Sequence, residues 1–143
     1  MNGMASLRER LRELAEQIAA REAEHRAALD EAFRRAAALR AEVAGALEGW
    51  REGVGAAAPQ LAVTLGAVRP DAKHVRSVEF DLSRGRHRAV LTVKSRGEVT
   101  LVGPFHVGKT EGPCKSFPFA AEDELRKALG DFLERFLTEA ATP

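Results

Sequence analysis

From Ser6 to Trp50 the chain runs without a proline, and Ala, Arg, Glu and Leu, all good helix formers, dominate the stretch. One helix over those residues would be about 68 Å long at a rise of 1.5 Å per residue, more than the dimension of a small domain. Met4, Leu7, Leu11, Leu14 and Ile18 recur at spacings of three and four, which places them on one seam of a heptad pattern. The same register carries Arg21 and His25 onto the seam. Apolar spacing resumes at Leu29, Ala32, Ala36, Leu39, Val43, Ala46 and Trp50, displaced by four residues, a stutter that locally unwinds a supercoil.

Such a seam predicts self-association, as a homodimeric coiled coil, through Leu7, Leu11, Leu14, Ile18, Leu29, Leu39 and Val43. The competing arrangement is a helix packed on its own C-terminal domain, or a hairpin folded near Arg21 and His25. Gly45, Gly49, Gly53, Gly55 and Pro59 mark the helix end and a hinge. Residues 1–55 therefore form a long amphipathic helix, and residues 56–143 a small domain.

Beyond the hinge the hydrophobic period falls towards two. Leu61, Val63 and Leu65 alternate, as do Val78, Phe80 and Leu82, then Ala89, Leu91 and Val93, then Val99 and Leu101. Ser83-Arg84-Gly85 and Ser95-Arg96-Gly97 supply Gly where tight hairpins need it, so successive strands are antiparallel. A fifth extended piece spans Pro113 to Phe117. The tail is helical again, with Leu125, Leu129, Phe132, Leu133, Phe136 and Leu137 in a stripe and three acidic residues, Glu122, Asp123 and Glu124, in the first turn. The fold class is α+β: a long N-terminal helix, a small antiparallel sheet of four to five strands, and a C-terminal helix.

With 143 residues, one domain and an extension account for the chain, and a multi-domain enzyme does not fit. Aromatics are only 6% of it, so the core is small. The net charge of +1 conceals a division: residues 67–117 carry 10 Lys/Arg against 5 Asp/Glu, between two segments of net negative charge. The single cysteine, Cys114, excludes an internal disulfide and suits a reducing compartment. No stretch has the roughly 18 apolar residues of a membrane span, and Arg8, Glu9 and Arg10 interrupt any signal-peptide core. A cytoplasmic protein with no membrane partner is expected.

Three patterns invite chemistry. Gly103 to Thr110 satisfies the G-x-x-x-x-G-K-[ST] phosphate-loop spacing, but Glu111-Gly112-Pro113 follows where a phosphate-binding helix would have to start. An irregular hairpin tip from Gly108 to Gly112 is the simpler expectation. His106 and Cys114 would face each other across that hairpin and could activate a thiolate, with no third group to orient them. His25, His74, His87 and His106 show no ligand spacing. No catalytic residue, cofactor site or metal site is expected.

The basic segment holds Lys73, Arg76, Arg84, Arg86, Arg88, Lys94 and Arg96 with His74 and His87. Strand parity leaves Arg86, Arg88, Lys94 and Arg96 opposite the core side of their strand, around Val90 and Thr92. That face suits an acidic protein surface, and nucleic acid is the alternative partner, although stacking aromatics are missing from it. Phe105 and Phe117, beside prolines, form either loop packing or an aromatic contact surface. The sequence points to a non-enzymatic oligomeric adaptor that self-associates through its helix and binds another protein through Arg86, Arg88, Lys94, Arg96, Phe105 and Phe117. A nucleic-acid-associated protein is the alternative, and a nucleotide-binding or thiol enzyme a third.

Overall fold

A computed structural model describes residues 3–71, 76–109 and 112–142. Lys73, His74 and Thr110 lie outside the described residues. Helix α1 (Gly3–Val54) is a single continuous helix. Two short 3-10 turns, Gly55–Ala57 and Pro59–Leu61, follow it, so Gly55, at φ +54°, and Pro59 end the helix, whereas Gly45, Gly49 and Gly53, expected to mark its end, lie inside it. Next come the strands β1 (Thr64–Leu65), β2 (Arg69–Pro70), β3 (Ser77–Arg84), β4 (His87–Lys94), β5 (Glu98–His106) and β6 (Cys114–Pro118). Helix α2 (Glu122–Ala140) closes the chain.

The sheet is antiparallel throughout, in the order β1-β3-β4-β5-β6, with β2 also paired to β3. The α+β class and its element order therefore hold. The first expected strand, Leu61 to Leu65, is only two residues long: its start belongs to a 3-10 turn, whose last residue Leu61 accepts the Trp50 indole N–H at 3.0 Å. The connector is fixed by side chains reaching its carbonyls. Arg40 of α1 donates to Gly66 and Leu65, and Arg84 donates to Gln60 and to Ala140 at the end of α2. β2 escaped the hydrophobic pattern because Arg69 and Pro70 carry no alternation.

Cross-strand register puts Val78 beside Val93, Phe80 beside Leu91 and Leu82 beside Ala89, then Leu91 beside Leu101 and Val93 beside Val99. All of these are buried on one face. Both helices cover that face, α1 over β3 and β4 and α2 over β4, β5 and β6. From α1 the core receives Ala32, Ala36, Leu39, Val43 and Leu47, and from α2 it receives Leu125, Leu129, Phe132, Leu133, Phe136 and Ala140. The small Ala32 and Ala36 let the helix axis approach the sheet closely, which is why an Ala-rich segment can close a core poor in aromatics.

This packing corrects the long seam. Leu39 and Val43, expected to pair between chains, are 4% and 0% exposed beneath their own sheet, and Leu29 packs at the edge of the same core. The second half of α1 belongs to the head, and a hairpin near Arg21 and His25 does not form.

Candidate functional site

The first half of α1 projects as an arm that no element among the described residues covers. Leu7, Leu11, Leu14 and Ile18 are 53%, 57%, 48% and 44% exposed, so four large aliphatic side chains stand in one row in water. At about 25 cal/mol per Å² of apolar surface, such a row favours a partner that removes it from solvent. Arg21 is exposed and His25 half-exposed on the same stripe, and His25 lies 3.9 Å from Glu22 in an i,i+3 pair.

On the head, the face away from the helices is crossed by polar rows. Arg69, Glu79, Thr92, Thr100 and Ser116 are neighbours in register across five strands, and the Thr100 and Ser116 hydroxyls lie 2.9 Å apart. Arg69 bridges two carboxylates, Glu79 at 3.4 Å and Asp81 at 2.9 Å. Burial still pushes the Glu79 carboxyl above its ordinary range, against the lowering effect of Arg69 and with Asp71 and Asp81 adding to the rise.

The four cations expected to share this face are divided. Arg86 lies in the β3–β4 turn beside Arg88, and Arg96 lies in the β4–β5 turn beside Lys94. The length of β4 separates the two pairs by about 25 Å. Arg96 is held by Glu98 at 2.8 Å, and Arg88 donates to the carbonyls of Gly85 and His87. Strand parity applies only to Arg88 and Lys94, since Arg86 and Arg96 lie in turns outside β4, and it did not reveal that Glu79 and Asp81 of the adjacent strand sit among these cations.

A bulge at the far end of β5 explains where Phe105 and His106 go. Register shifts between Arg88 and Val90, so that two residues, Gly103 and Pro104, oppose Ala89 alone. Gly103 has φ +115°, and a Cβ there would lie 3.1 Å from the Ala89 Cα and from the Arg88 carbonyl oxygen, a place only glycine fills without displacement. After the bulge, Phe105 pairs with Arg88 on the open side, and His106 pairs with His87 on the helix side. The two imidazoles meet edge to face with centroids 4.8 Å apart. His87 Nδ1 is closed off and has no hydrogen-bond partner among the described residues. Burial lowers the His87 pKa, and the nearby charges of His106 and Arg84 lower it further.

His106 and Cys114 are not brought together. Cys114 is exposed opposite Val102, roughly 13 Å along the strands from His106. The phosphate-loop spacing also loses its meaning here, because Gly103 to His106 are strand and the chain turns at Val107 and Gly108 towards an antiparallel β6. Lys109 is an exposed turn residue whose N–H donates to His106. Among the described residues no cluster of three His, Cys, Asp or Glu side chains is arranged to hold a metal, and no helix is long and apolar enough to cross a membrane.

Phe117 has a different setting from Phe105, on the opposite side of the sheet. It pairs with Val99 on the edge strand β6 and lines a groove of about 400 Å³ between β6 and α2. Leu101, Ala128 and Phe132 add to its apolar wall, and Lys127, Asp131 and Arg135 stand along α2 beside it. Sequence reasoning placed Phe132 in the core stripe but missed the groove. The visible signal was β6 itself, a short strand at the end of the sheet order whose outer edge pairs with no strand among the described residues. Comparison with protein-family models, with curated proteins and with solved structures finds no match to this chain.

Proposed function

We propose that this protein is a non-enzymatic, oligomeric adaptor of the cytoplasm: its arm joins one copy to another, and its head binds a second protein. The observation that carries the reading is the row of Leu7, Leu11, Leu14 and Ile18, exposed on a part of the helix that no described residue of the head covers. A solvated helix face has no use for four aliphatic side chains at seam spacing, whereas a helical partner does. For the head, the groove beside the outer edge of β6 supports a protein ligand in extended form, which could hydrogen-bond to the strand and seat alternate side chains beside Phe117 and Phe132. The divided cations and the two carboxylates on the open face favour this groove over a phosphate track. The separation of His106 from Cys114 supports a role without nucleophilic catalysis.

Sedimentation of the full chain tests the reading. At tens of micromolar the intact protein should sediment as a dimer, and a variant with Leu7, Leu11 and Leu14 all changed to Ser should sediment as a folded monomer. A monomeric intact protein at that concentration would remove the adaptor reading.

A further inference from the structure

The apolar row on the arm and the face of α1 buried by the head lie on the same side of one helix. Eighteen residues make five turns at 3.6 residues per turn, so Leu14 is in phase with Ala32 and Ile18 with Ala36. Thirty-six residues make ten turns, which aligns Leu7 with Val43 and Leu11 with Leu47. A single stripe thus runs the length of α1. The head's own sheet covers it from Ala32 to Leu47, and among the described residues none covers it from Leu7 to Ile18.

This continuity restricts how two copies can meet. In a parallel pair the two stripes face each other with axes about 8–10 Å apart. Past residue 28 each stripe holds its own sheet, and two sheets stacked on two helices cannot enter that gap. The same register also sets Arg21 against Arg21 of the second copy. In an antiparallel pair each arm covers the other's open stripe and ends where the other head begins, so no head enters the seam.

Resting on the self-association reading, we infer that the arm binds the arm of a second copy antiparallel, with Leu14 of each chain beside Ile18 of the other. Charge agrees with that centre. Exposed Arg8 and Arg10 flank the N-terminal half of the stripe and exposed Glu22 and Glu24 flank the C-terminal half. The antiparallel register brings Arg8 to Glu22 and Arg10 to Glu24 of the second copy, twice by symmetry. It also delivers the first turn of the second copy's arm to residues 28 and 29. There a recess of about 650 Å³, lined by Ala19, Ala23, His25, Leu29 and Arg76, stands between arm and head.

Distance measurement by paired spin labels decides the orientation in the full-length protein. The background carries Cys114→Ser, and the label goes on Ser6→Cys or on Ala15→Cys. The antiparallel dimer places the two labels at position 6 about 30 Å apart along the axis and those at position 15 within about 3 Å along it. Short distances at both positions would mean a parallel pair and would overturn the inference while leaving self-association intact. Absence of dipolar coupling at both, with a monomer mass, would overturn the self-association reading and the inference with it. As a second measurement, Arg8→Glu with Arg10→Glu should weaken the dimer at least about tenfold, and adding Glu22→Arg and Glu24→Arg should restore it. Failure of the fourfold variant to recover would also overturn the antiparallel register.

Discussion

His87 sits where a strand end, a bulge and the last turn of α2 converge. Arg84 reaches the Ala140 carbonyl from the neighbouring position, and the Glu139 carboxylate opposes part of the lowering of the His87 pKa. The folded-state pKa is below that of the unfolded chain, ordinarily about 6.5. On acidification the unfolded state therefore takes up the proton first. The stability associated with neutral His87 is present above that pH and is lost as pH falls from about 6.5 towards the folded value. Melting temperature should decline more steeply between pH 7.5 and 5.5 in the parent than in His87→Phe, which keeps an aromatic ring beside His106. Equal slopes would show that protonation is tolerated there. Glu79 titrates with the opposite sign, its raised pKa losing stability as pH rises, and it contributes equally to both proteins. Neither environment was legible in the sequence. His87 shows the correct strand parity, but its partner depends on a bulge at Gly103 that shifts every later residue of β5 to the other face. Glu79 reads as an ordinary solvated strand position until β2, invisible to a hydrophobic pattern, lays Arg69 across it.

Among the elements, α1 was legible in extent and misleading in division. A heptad reading makes the four-residue displacement after Ile18 look like a break between two seams. A straight helix with 3.6 residues per turn needs that displacement to keep one face, and the structure uses the face in two ways. Leu39→Ala should accordingly cost the head about 2–5 kcal/mol, as for other buried leucines, measured by denaturant unfolding. Leu11→Ala should leave unfolding of the dilute monomer nearly unchanged and should raise the dimer dissociation constant instead. If the two substitutions had the same effects, the arm and the sheet-bound segment would not be separate in function. The three long strands and α2 were read correctly because their periods are clean: Val78, Phe80 and Leu82 against the sheet's interior, and Leu125 to Phe136 on one helical stripe. The groove was not read, since it arises from the spacing between α2 and the edge of β6, which neither element's own pattern records.

Across the whole molecule, the arm is a continuation of a helix that the core has already started. Beginning a helix is the unfavourable step, because several residues must be ordered for the first hydrogen bond, whereas each added residue gains one bond. Packing from Ala32 to Leu47 fixes that start against the sheet. Growth towards the N-terminus then proceeds by propagation alone, through residues of high helix propensity and the Arg12–Glu16 pair at i,i+4. The monomeric Leu7, Leu11, Leu14→Ser variant should therefore retain most of the parent's helical circular dichroism, and a large loss would mean that pairing orders the arm. A templated arm also changes the kinetics of assembly. Two preformed rods meet without a folding step, so association should follow second-order kinetics governed by encounter and charge, and the lifetime of the complex should carry the differences between variants.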